Sequence, residues 1–292
     1  MSEPSRDARL PVAYAGEPGA FAEDAVVAAF GEAAERRPVG GFREVFDAVA
    51  GGEVAAGVVP VENLVNGSVR ETYDLLLEFD QEIAAEVVVP VELCLAAPPG
   101  RSIDDVRRVY SHIQALGQAE GFLRGRPWSL LTTYNTAGAG KMVAESGEQG
   151  AAAVLSPRAA HRYGLAVLAA SIQDVPDNRT RFVVVRRRGD AAGQAAGHPG
   201  AATDRARYRT THAFGVHNEP GTLLRALAVF ARRGINLSKL ESRPSRTAAW
   251  EYVFWTDLDA HQDEPDCAAA LADLRAAATL VRTFGSYPRV AD

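Results

Sequence analysis

The first two thirds of the chain alternate short apolar runs with amphipathic segments. The apolar runs have the length and β-branched content of strands, and most precede a segment with helical periodicity. In the first such segment Phe21, Ala25 and Ala29 fall on one helical face. Strands are predicted at "PVAYA" (11–15), "AAGVVPV" (55–61), "VRRVY" (106–110), "SLLTTY" (129–134), "GAAAVL" (150–155) and "RFVVVRR" (181–187). This alternation predicts an α/β fold.

One long strand-like stretch, "EVVVPVELCLAAPP" (86–99), departs from the alternation. We expect it to carry the chain from one lobe into a second, with a return near residues 165–180. Two lobes with a cleft between them resemble the bilobed fold of periplasmic solute-binding proteins.

The residues after this region form a separate predicted domain. Residues 189–206 are mostly Gly and Ala without apolar periodicity, which predicts a flexible linker. The linker separates a domain at 10–188 from one at 207–290. In the second domain the pattern is β-α-β-β-α-β, with Leu223, Leu227 and Phe230 on one helix face. It predicts a ferredoxin-like fold.

Composition and charge exclude several classes of function. The chain has 292 residues and a net charge of −6, so nucleic acid is not an expected partner. Its two cysteines are far apart and its six histidines are scattered, so no metal or cofactor is indicated. The N-terminal residues are polar, and the most apolar stretch, residues 83–100, is too short and too charged to span a bilayer. A cytoplasmic protein without a membrane segment is expected.

Polar residues follow three of the predicted strands, where open parallel sheets bind ligands. In "GEPGAF" (16–21), Gly19 and Ala20 precede a helix whose N-terminal amides favour an anion, although a plain turn remains an alternative. In "PVENLVNGS" (60–68), Ser68 has the spacing of a helix cap. This leaves Glu62 and Asn63 in the loop at the strand's end, as ligand contacts or as solvated loop residues.

The third stretch, "YSHIQALGQ" (110–118), places Ser111, Gln114 and Gln118 on one uncharged polar stripe. Such a stripe suits a hydrogen-bonding wall of a cleft. The alternatives are a solvated face and, for Ser111, a helix cap.

In "DNRTRFVVV" (177–185), Thr180 and Phe182 alternate with Arg181 at the start of the last strand. A guanidinium fork suits a carboxylate, and a hydroxyl can donate to an oxygen.

Four motifs in this order resemble prephenate dehydratases and the related arogenate dehydratases over nearly the whole chain. They are "VENLVNGSV" (61–69), "SHIQALGQ" (111–118), "NRTRF" (178–182) and "ESRP" (241–244). The resemblance implies an essential Thr180 in an active site with Glu62, Asn63, Ser111 and Gln118; we expect Arg181, Phe182, Gln114, Gly19 and Ala20 to bind substrate. Leu64 replaces the Ser usual in the family and removes a possible hydrogen bond to substrate, which bears on substrate preference, whereas Ile113 replaces the usual Pro and is expected to alter only the first turn of the helix.

The implied reaction is that of a carbon–oxygen lyase. Prephenate loses CO2 and its ring hydroxyl together and gives aromatic phenylpyruvate in phenylalanine biosynthesis. Aromatisation drives the reaction, so no cofactor is required. Arg181 and the helix N-termini would hold the two carboxylates, and Thr180 would donate to the departing oxygen.

The C-terminal domain resembles an ACT domain, the amino-acid-sensing module usual in this family. The resemblance implies allosteric regulation by L-phenylalanine and a homodimer or homotetramer formed through ACT domains. The implied effector-binding positions are Asn218, Gly221, Thr222, Leu223, Glu241, Ser242 and Arg243.

Three alternatives remain open from the sequence. A non-catalytic amino-acid sensor would need a cleft but not Thr180 together with Glu62 and Gln118. Arogenate dehydratase acts on the amino analogue of prephenate. A decarboxylase that keeps the hydroxyl is disfavoured by the threonine of "TRF" (180–182).

Overall fold

The structure, a computed structural model, describes residues 11–190, 208–245 and 251–290. These residues divide into two compact units. The first contains residues 11–79 and Val87–Val184, and the second contains Asp80–Glu86 and the described residues from Val185 onward. The predicted linker at 189–206 lies almost wholly outside the described residues. It stays a prediction, as do the domain boundaries at 188 and 207.

Strands and helices alternate along the first unit, and its strands β5 and β11 continue into the second. In chain order the elements are β1 (Val12–Ala15), α1 (Phe21–Phe30), β2 (Arg36–Val39), α2 (Phe42–Ala50), β3 (Ala56–Asn63), β4 (Gly67–Ser68), α3 (Arg70–Glu78), β5 (Gln81–Pro90), β6 (Cys94–Ala97), β7 (Arg108–Ser111), α4 (Ile113–Gln118), α5 (Glu120–Leu123), β8 (Ser129–Thr132), α6 (Thr136–Ser146), β9 (Ala151–Leu155), α7 (Pro157–Arg162), β10 (Ala166–Ala169) and β11 (Arg179–Arg187). The α/β prediction is confirmed.

Two sheets organise the first unit. One has the strand order β2-β1-β3-β11-β5, with β4 paired to β3, and the other has the order β10-β6-β9-β7-β8. The chain passes from the first sheet to the second between β5 and β6 and returns between β10 and β11. The predicted crossing along residues 86–99 and the return near residues 165–180 are therefore confirmed, and two lobes result.

Local sequence signals explain one helix start and mislead at another. Ser156 caps α7 by accepting a hydrogen bond from the amide of Ala159 at 3.0 Å, with Pro157 at the first helical position. Ser68, by contrast, pairs with Glu62 in the short strand β4, and α3 begins at Arg70. The predicted helix start at Ser68 is wrong, because Ser68 belongs to a hairpin in which Glu62 and Asn63, expected in a loop, form the end of β3.

The second unit has a four-stranded antiparallel sheet with the order β13-β14-β12-β15. Two helices pack on it through a core that includes Phe214, Phe230 and Leu271. The β-α-β-β-α-β order is the predicted ferredoxin-like fold. Its elements are β12 (Tyr208–Gly215), α8 (Thr222–Ala231), β13 (Leu237–Pro244), β14 (Tyr252–Leu258), α9 (Pro265–Ala277) and β15 (Leu280–Pro288).

A buried ion pair holds the first part of β5 within this second unit. The Glu86 carboxylate is 1% exposed and bonds the Arg209 guanidinium and the Val290 amide. Asp257 lies on the other side of Arg209, 3.7 Å from its Nε. Removing one member of such a group leaves an uncompensated buried charge, which is costly.

A buried histidine predicts acid sensitivity of the second unit. His212 stacks on Phe214 and lies 2.8 Å from the Thr256 hydroxyl. Burial lowers the pKa of His212 from 6.5 to about 4. The unfolded chain therefore binds a proton that the folded chain excludes, so stability is full above pH 6.5 and is lost as the pH falls toward 4. Between pH 7.5 and pH 5 we expect the free energy of unfolding to fall by about 2 kcal/mol.

Denaturant titrations at the two pH values test this expectation, with tryptophan fluorescence as the signal. A His212→Gln variant is the matched control, because its amide can bond Thr256 but does not titrate in this range. Between the two pH values, the free energy of unfolding should fall by about 2 kcal/mol less in the variant than in the wild type. An equal loss in both proteins would assign the acid sensitivity to other groups.

Candidate active site

The end of β3 meets the beginning of β11, and this junction collects four of the candidate residues, Glu62, Asn63, Thr180 and Arg181. The amide of Leu64 donates to the carbonyl of Arg179 at 2.9 Å. Asn63 and Thr180 are both buried here, at 8% and 9% exposure. Residues far apart in sequence thus become neighbours because two strands of one sheet are paired.

The side-chain amide of Asn63 has one possible orientation. Its Oδ1 accepts from the backbone amides of Val65 and Asn66, at 3.1 and 2.9 Å. Backbone amides can only donate, so the atom that faces them must be the oxygen. The Nδ2 of Asn63 therefore points the other way, toward Asn178 and Thr180.

This orientation fixes the role of the Thr180 hydroxyl. Asn63 Nδ2 donates to Thr180 Oγ1 at 2.9 Å and also contacts Asn178 Oδ1 and the Arg179 carbonyl. Since Thr180 accepts from Asn63, its own hydrogen stays available for another oxygen. The hydrogen of the Thr180 hydroxyl is thus left for another acceptor, and its donation to a departing oxygen stays a prediction.

Glu62 and Arg181 form an ion pair, with 3.0 Å between Glu62 Oε2 and Arg181 Nη2. The guanidinium is mostly buried, at 13% side-chain exposure, whereas the carboxylate is 39% exposed. The two residues therefore act as one unit.

Ser111 lies neither on a solvated face nor at the cap of a helix, the two alternatives that the sequence offered. It ends β7, is fully buried, and donates to the Val154 carbonyl of β9 at 2.6 Å. The cap of α4 is the next residue, because the His112 ring accepts from the amide of Gln114 at 3.4 Å. Partial burial lowers the pKa of His112, which favours the neutral ring that this cap needs. The hydroxyl of Ser111 thus joins two strands of the second sheet.

The two glutamines of the predicted stripe lie on α4. Gln114 is exposed and Gln118 is half-buried, while Leu116 between them packs into the core. The Gln118 carbonyl accepts from the amide of Asp174 at 2.7 Å, which ties the helix end to the segment that leads into β11. Both glutamine side chains stay candidates for ligand contact.

The loop before α1 does not offer the predicted anion site at Gly19. The Gly19 amide donates to the Glu23 carboxylate at 2.6 Å, and Glu23 is buried. A protein carboxylate therefore takes the place expected for a ligand, and it would repel an anion. Gly19 has φ +93°, and an added Cβ would lie 2.8 Å from the Cα of Ala159, so only glycine fits. Ala20 precedes the helix in extended conformation, without a side-chain cap.

The same loop is bonded to residues of the second lobe. Ser156 and Tyr163 donate to the carbonyls of Gly19 and Pro18, at 2.9 and 2.8 Å. Glu17 accepts from Tyr134 at 3.1 Å and from Lys141 at 3.2 Å. The loop thus holds the two lobes together.

The effector positions predicted by resemblance lie on two segments of the second unit. Asn218 and Gly221 are exposed in the turn before α8, where the Thr222 hydroxyl donates to the carbonyls of His217 and Glu219. Leu223 packs on the core. The other positions, Glu241, Ser242 and Arg243, lie on the edge strand β13. Their joint role stays a prediction.

The structure therefore brings together Glu62, Asn63, Thr180 and Arg181, whereas the bonds of Ser111 lie within the second sheet. Phe182 is 3% exposed in the interior, so its contact with substrate stays a prediction. Sequence reasoning missed Asn178, which bonds Asn63 two residues before Thr180; the i, i+2 spacing on an extended segment could have indicated it.

Within the described ranges, no group of three His, Cys, Asp or Glu side chains is placed to hold a metal ion. Among the helices of the same ranges, none has the length and apolar content that crossing a membrane requires.

Comparisons with known proteins identify the family of both parts of the chain. Residues 12–190 match the family model described as prephenate dehydratase, and residues 213–276 match the ACT domain model. The bifunctional chorismate mutase/prephenate dehydratase of Aquifex aeolicus is 39% identical over 98% of this chain and 75% of that protein. Arogenate dehydratase/prephenate dehydratase 2 of Arabidopsis thaliana is also 39% identical, over 97% of this chain and 74% of that protein.

Two solved structures cover nearly the whole chain. Prephenate dehydratase from Arthrobacter aurescens, in complex with L-Phe, has a TM-score of 0.82 and 32% identity, over 96% of this chain and 90% of that one. A protein described as a novel type of quorum quenching acylase, GqqA, has a TM-score of 0.83 and 30% identity, over 96% of this chain and 98% of that one.

Proposed function

The chain belongs to the prephenate dehydratase family, and from this premise we propose that it converts prephenate to phenylpyruvate by decarboxylative dehydration. The observation that carries the proposal is the direction of the hydrogen bond from Asn63 to Thr180. It leaves the hydrogen of the Thr180 hydroxyl for an acceptor other than Asn63. Loss of a ring hydroxyl requires such a donor at the departing oxygen.

The reaction breaks two bonds of prephenate. The bond to the ring carboxylate breaks with release of CO2, its electron pair moves into the ring, and the C–O bond to the ring hydroxyl breaks. The leaving oxygen takes a proton, supplied by solvent or through Glu62, and departs as water. Thr180 donates a hydrogen bond to this oxygen as negative charge develops, and Arg181 attracts a carboxylate. A donor aimed at developing charge contributes roughly 3 kcal/mol.

One structural neighbour is described as an acylase, so acyl transfer is an alternative reaction for this site. A nucleophilic hydroxyl needs a base that accepts its proton. The side chain bonded to Thr180 Oγ1 is an amide that donates, and a donor cannot take a proton. The arrangement therefore supports a hydroxyl that donates to a leaving group over one that attacks an acyl carbon.

Turnover by purified protein, without added metal or nucleotide, tests the proposal. Prephenate and arogenate are supplied separately, and phenylpyruvate or phenylalanine is measured, with an acylase assay as a third arm. We expect kcat/KM for prephenate to exceed that for arogenate. Activity on arogenate alone would replace the proposed substrate. Inactivity on both prephenate and arogenate would favour a non-catalytic amino-acid sensor. If the acylase assay were then positive, an acylase would be favoured instead.

Arogenate is the second candidate because relatives with that name are as similar as the bacterial dehydratase. Leu64 is 67% exposed at the junction, where the family usually has Ser. It can offer an apolar contact but no side-chain hydrogen bond to a substrate amine or ketone. The assay on both substrates decides between them.

We further propose that L-phenylalanine binds the ACT domain of this cytoplasmic enzyme and inhibits the catalytic domain, in a homodimer or homotetramer formed through ACT domains. The Arthrobacter relative with L-Phe bound supports effector binding. Phenylalanine is the end product that phenylpyruvate leads to, so inhibition is the expected sign.

We expect phenylalanine affinity to fall about 5- to 150-fold when phenylpyruvate fills the catalytic site, because allosteric coupling is reciprocal and typically 1–3 kcal/mol. Calorimetric titration of the full chain, with and without phenylpyruvate, measures this. Equal affinity in the two titrations would mean that the sites are uncoupled. A chain truncated near residue 190 is a poor substitute for the full chain in this test. The truncation would leave the buried Glu86 without its partner Arg209.

A further inference from the structure

Asn178 is a buried polar side chain beside Thr180 to which the proposed mechanism gives no role. It lies just before β11 and is 1% exposed. Its backbone is fixed on both sides, since its carbonyl accepts from the Val91 amide at 2.8 Å and its amide donates to the Val175 carbonyl at 3.2 Å. The side chain therefore has little freedom.

The orientation of the Asn178 amide follows from that of Asn63. Asn63 presents Nδ2, a donor, at 2.9 Å from Asn178. The facing atom of Asn178 must accept, so it is Oδ1. The Nδ2 of Asn178 is consequently turned away from Asn63.

That Nδ2 is buried and has no hydrogen-bond partner among the described residues. A buried amide donor without a partner destabilises a fold, so such groups are few in native structures and require an explanation. Asn178 and Thr180 lie two residues apart on an extended segment, and both bond the same nitrogen of Asn63. The network thus ends in two donors on one side, the O–H of Thr180 and the N–H of Asn178.

We propose that the Nδ2 of Asn178 donates a hydrogen bond to an oxygen of the bound substrate, as a second donor beside Thr180. Two donors with their acceptor atoms already engaged match a substrate that presents an acceptor oxygen to each, the departing oxygen to Thr180 and a second oxygen to Asn178. The atom is covered by protein in this conformation, so the contact forms as the substrate enters. This inference rests on the proposed function and adds a binding residue to the same site.

Three variants test the role of Asn178 in the full-length protein. Asn178→Ala removes the donor, and Asn178→Asp keeps an oxygen toward Asn63 but replaces the donor by a carboxylate oxygen. Thr72→Val is the matched control, since the fully buried Thr72 hydroxyl also has no partner among the described residues but lies on α3, outside the site. For each protein kcat and KM on prephenate are measured from pH 5.5 to 8.5, together with Tm.

Asn178→Ala should lower kcat/KM about 10- to 100-fold, the value of a hydrogen bond to a charged oxygen. Its Tm should change little, because the variant removes an unpaired buried donor together with the Oδ1 that accepts from Asn63. The kcat/KM of Asn178→Asp should be lower than that of the alanine variant at pH 8. Toward pH 5.5 part of this difference should disappear, because a protonated carboxyl can donate a hydrogen bond. Thr72→Val should keep kcat/KM within about twofold of the wild type, as a change outside the site should.

Wild-type kcat/KM in Asn178→Ala would overturn the inference. Equal losses in the alanine and aspartate variants at every pH, with a lower Tm, would overturn it too, because Asn178 would then only support the fold. Inactivity of the wild type on prephenate would instead refute the proposed function. The two failures are therefore distinguishable.

Discussion

Replacing Thr180 by valine is expected to lower kcat on prephenate about 100-fold or more with KM changed less than about threefold. Valine keeps the shape and strand propensity of threonine and removes only the hydroxyl. The loss falls on kcat because the hydrogen bond to the leaving oxygen strengthens as charge develops in the transition state. Steady-state kinetics with purified variants measure both constants.

Thr180→Ser is the matched control for this variant. Serine keeps a hydroxyl that can accept from Asn63 and still donate, so its kcat should stay within about tenfold of the wild type, a smaller loss than removal of the donor causes. A valine variant with near-native kcat would show that Thr180 is structural, and the proposed mechanism would be wrong. A serine variant as poor as valine would show that the methyl group, and not the hydroxyl, matters.

Replacing Asn63 by aspartate is expected to lower kcat about as much as removal of the Thr180 hydroxyl, on the order of 100-fold. One oxygen of the introduced carboxylate would keep the bonds to the backbone amides of Val65 and Asn66. The other oxygen would replace the donor that faces Thr180. The hydroxyl would then donate to this carboxylate and be lost to the substrate.

The control is Asn66→Asp, which adds the same charge in the same loop. The side chain of Asn66 is exposed, whereas that of Asn63 is buried. We expect the control to keep kcat within about threefold, because it leaves the donor at Thr180 in place and adds only a charge in solvent. Equal losses in both variants would mean that added negative charge, and not the direction of the Asn63–Thr180 bond, lowers the activity.

Most of the fold was predictable from the sequence, because buried strands and amphipathic helices have distinct periodicities. Strand β2, "RRPV" (36–39), was missed. It is a polar edge strand, where Pro38 is tolerated and no apolar run is needed. The helix start at Ser68 was wrong for a related reason. The sequence signal for a cap is local, whereas pairing with Glu62 depends on the sheet.

The candidate site was predictable in its residue types but not in its hydrogen-bond directions. Resemblance placed Asn63 and Thr180 in the site, whereas only the contacts of two backbone amides show which atom of Asn63 faces Thr180. At Gly19, too, the sequence does not show which group receives the hydrogen bond. A glycine before a helix indicates an anion site, but here the carboxylate of Glu23 four residues later takes that position. Long-range packing decides such cases.

A crystal structure of Thr180→Val with prephenate bound tests the central claim most directly, because this variant should bind substrate and turn it over slowly. When the variant is superposed on the wild type, the ring hydroxyl oxygen of prephenate should lie about 3 Å from the position of Thr180 Oγ1, within hydrogen-bond distance. A hydroxyl oxygen directed elsewhere, with a carboxylate or no substrate atom near position 180, would contradict the claim that Thr180 donates to the departing oxygen.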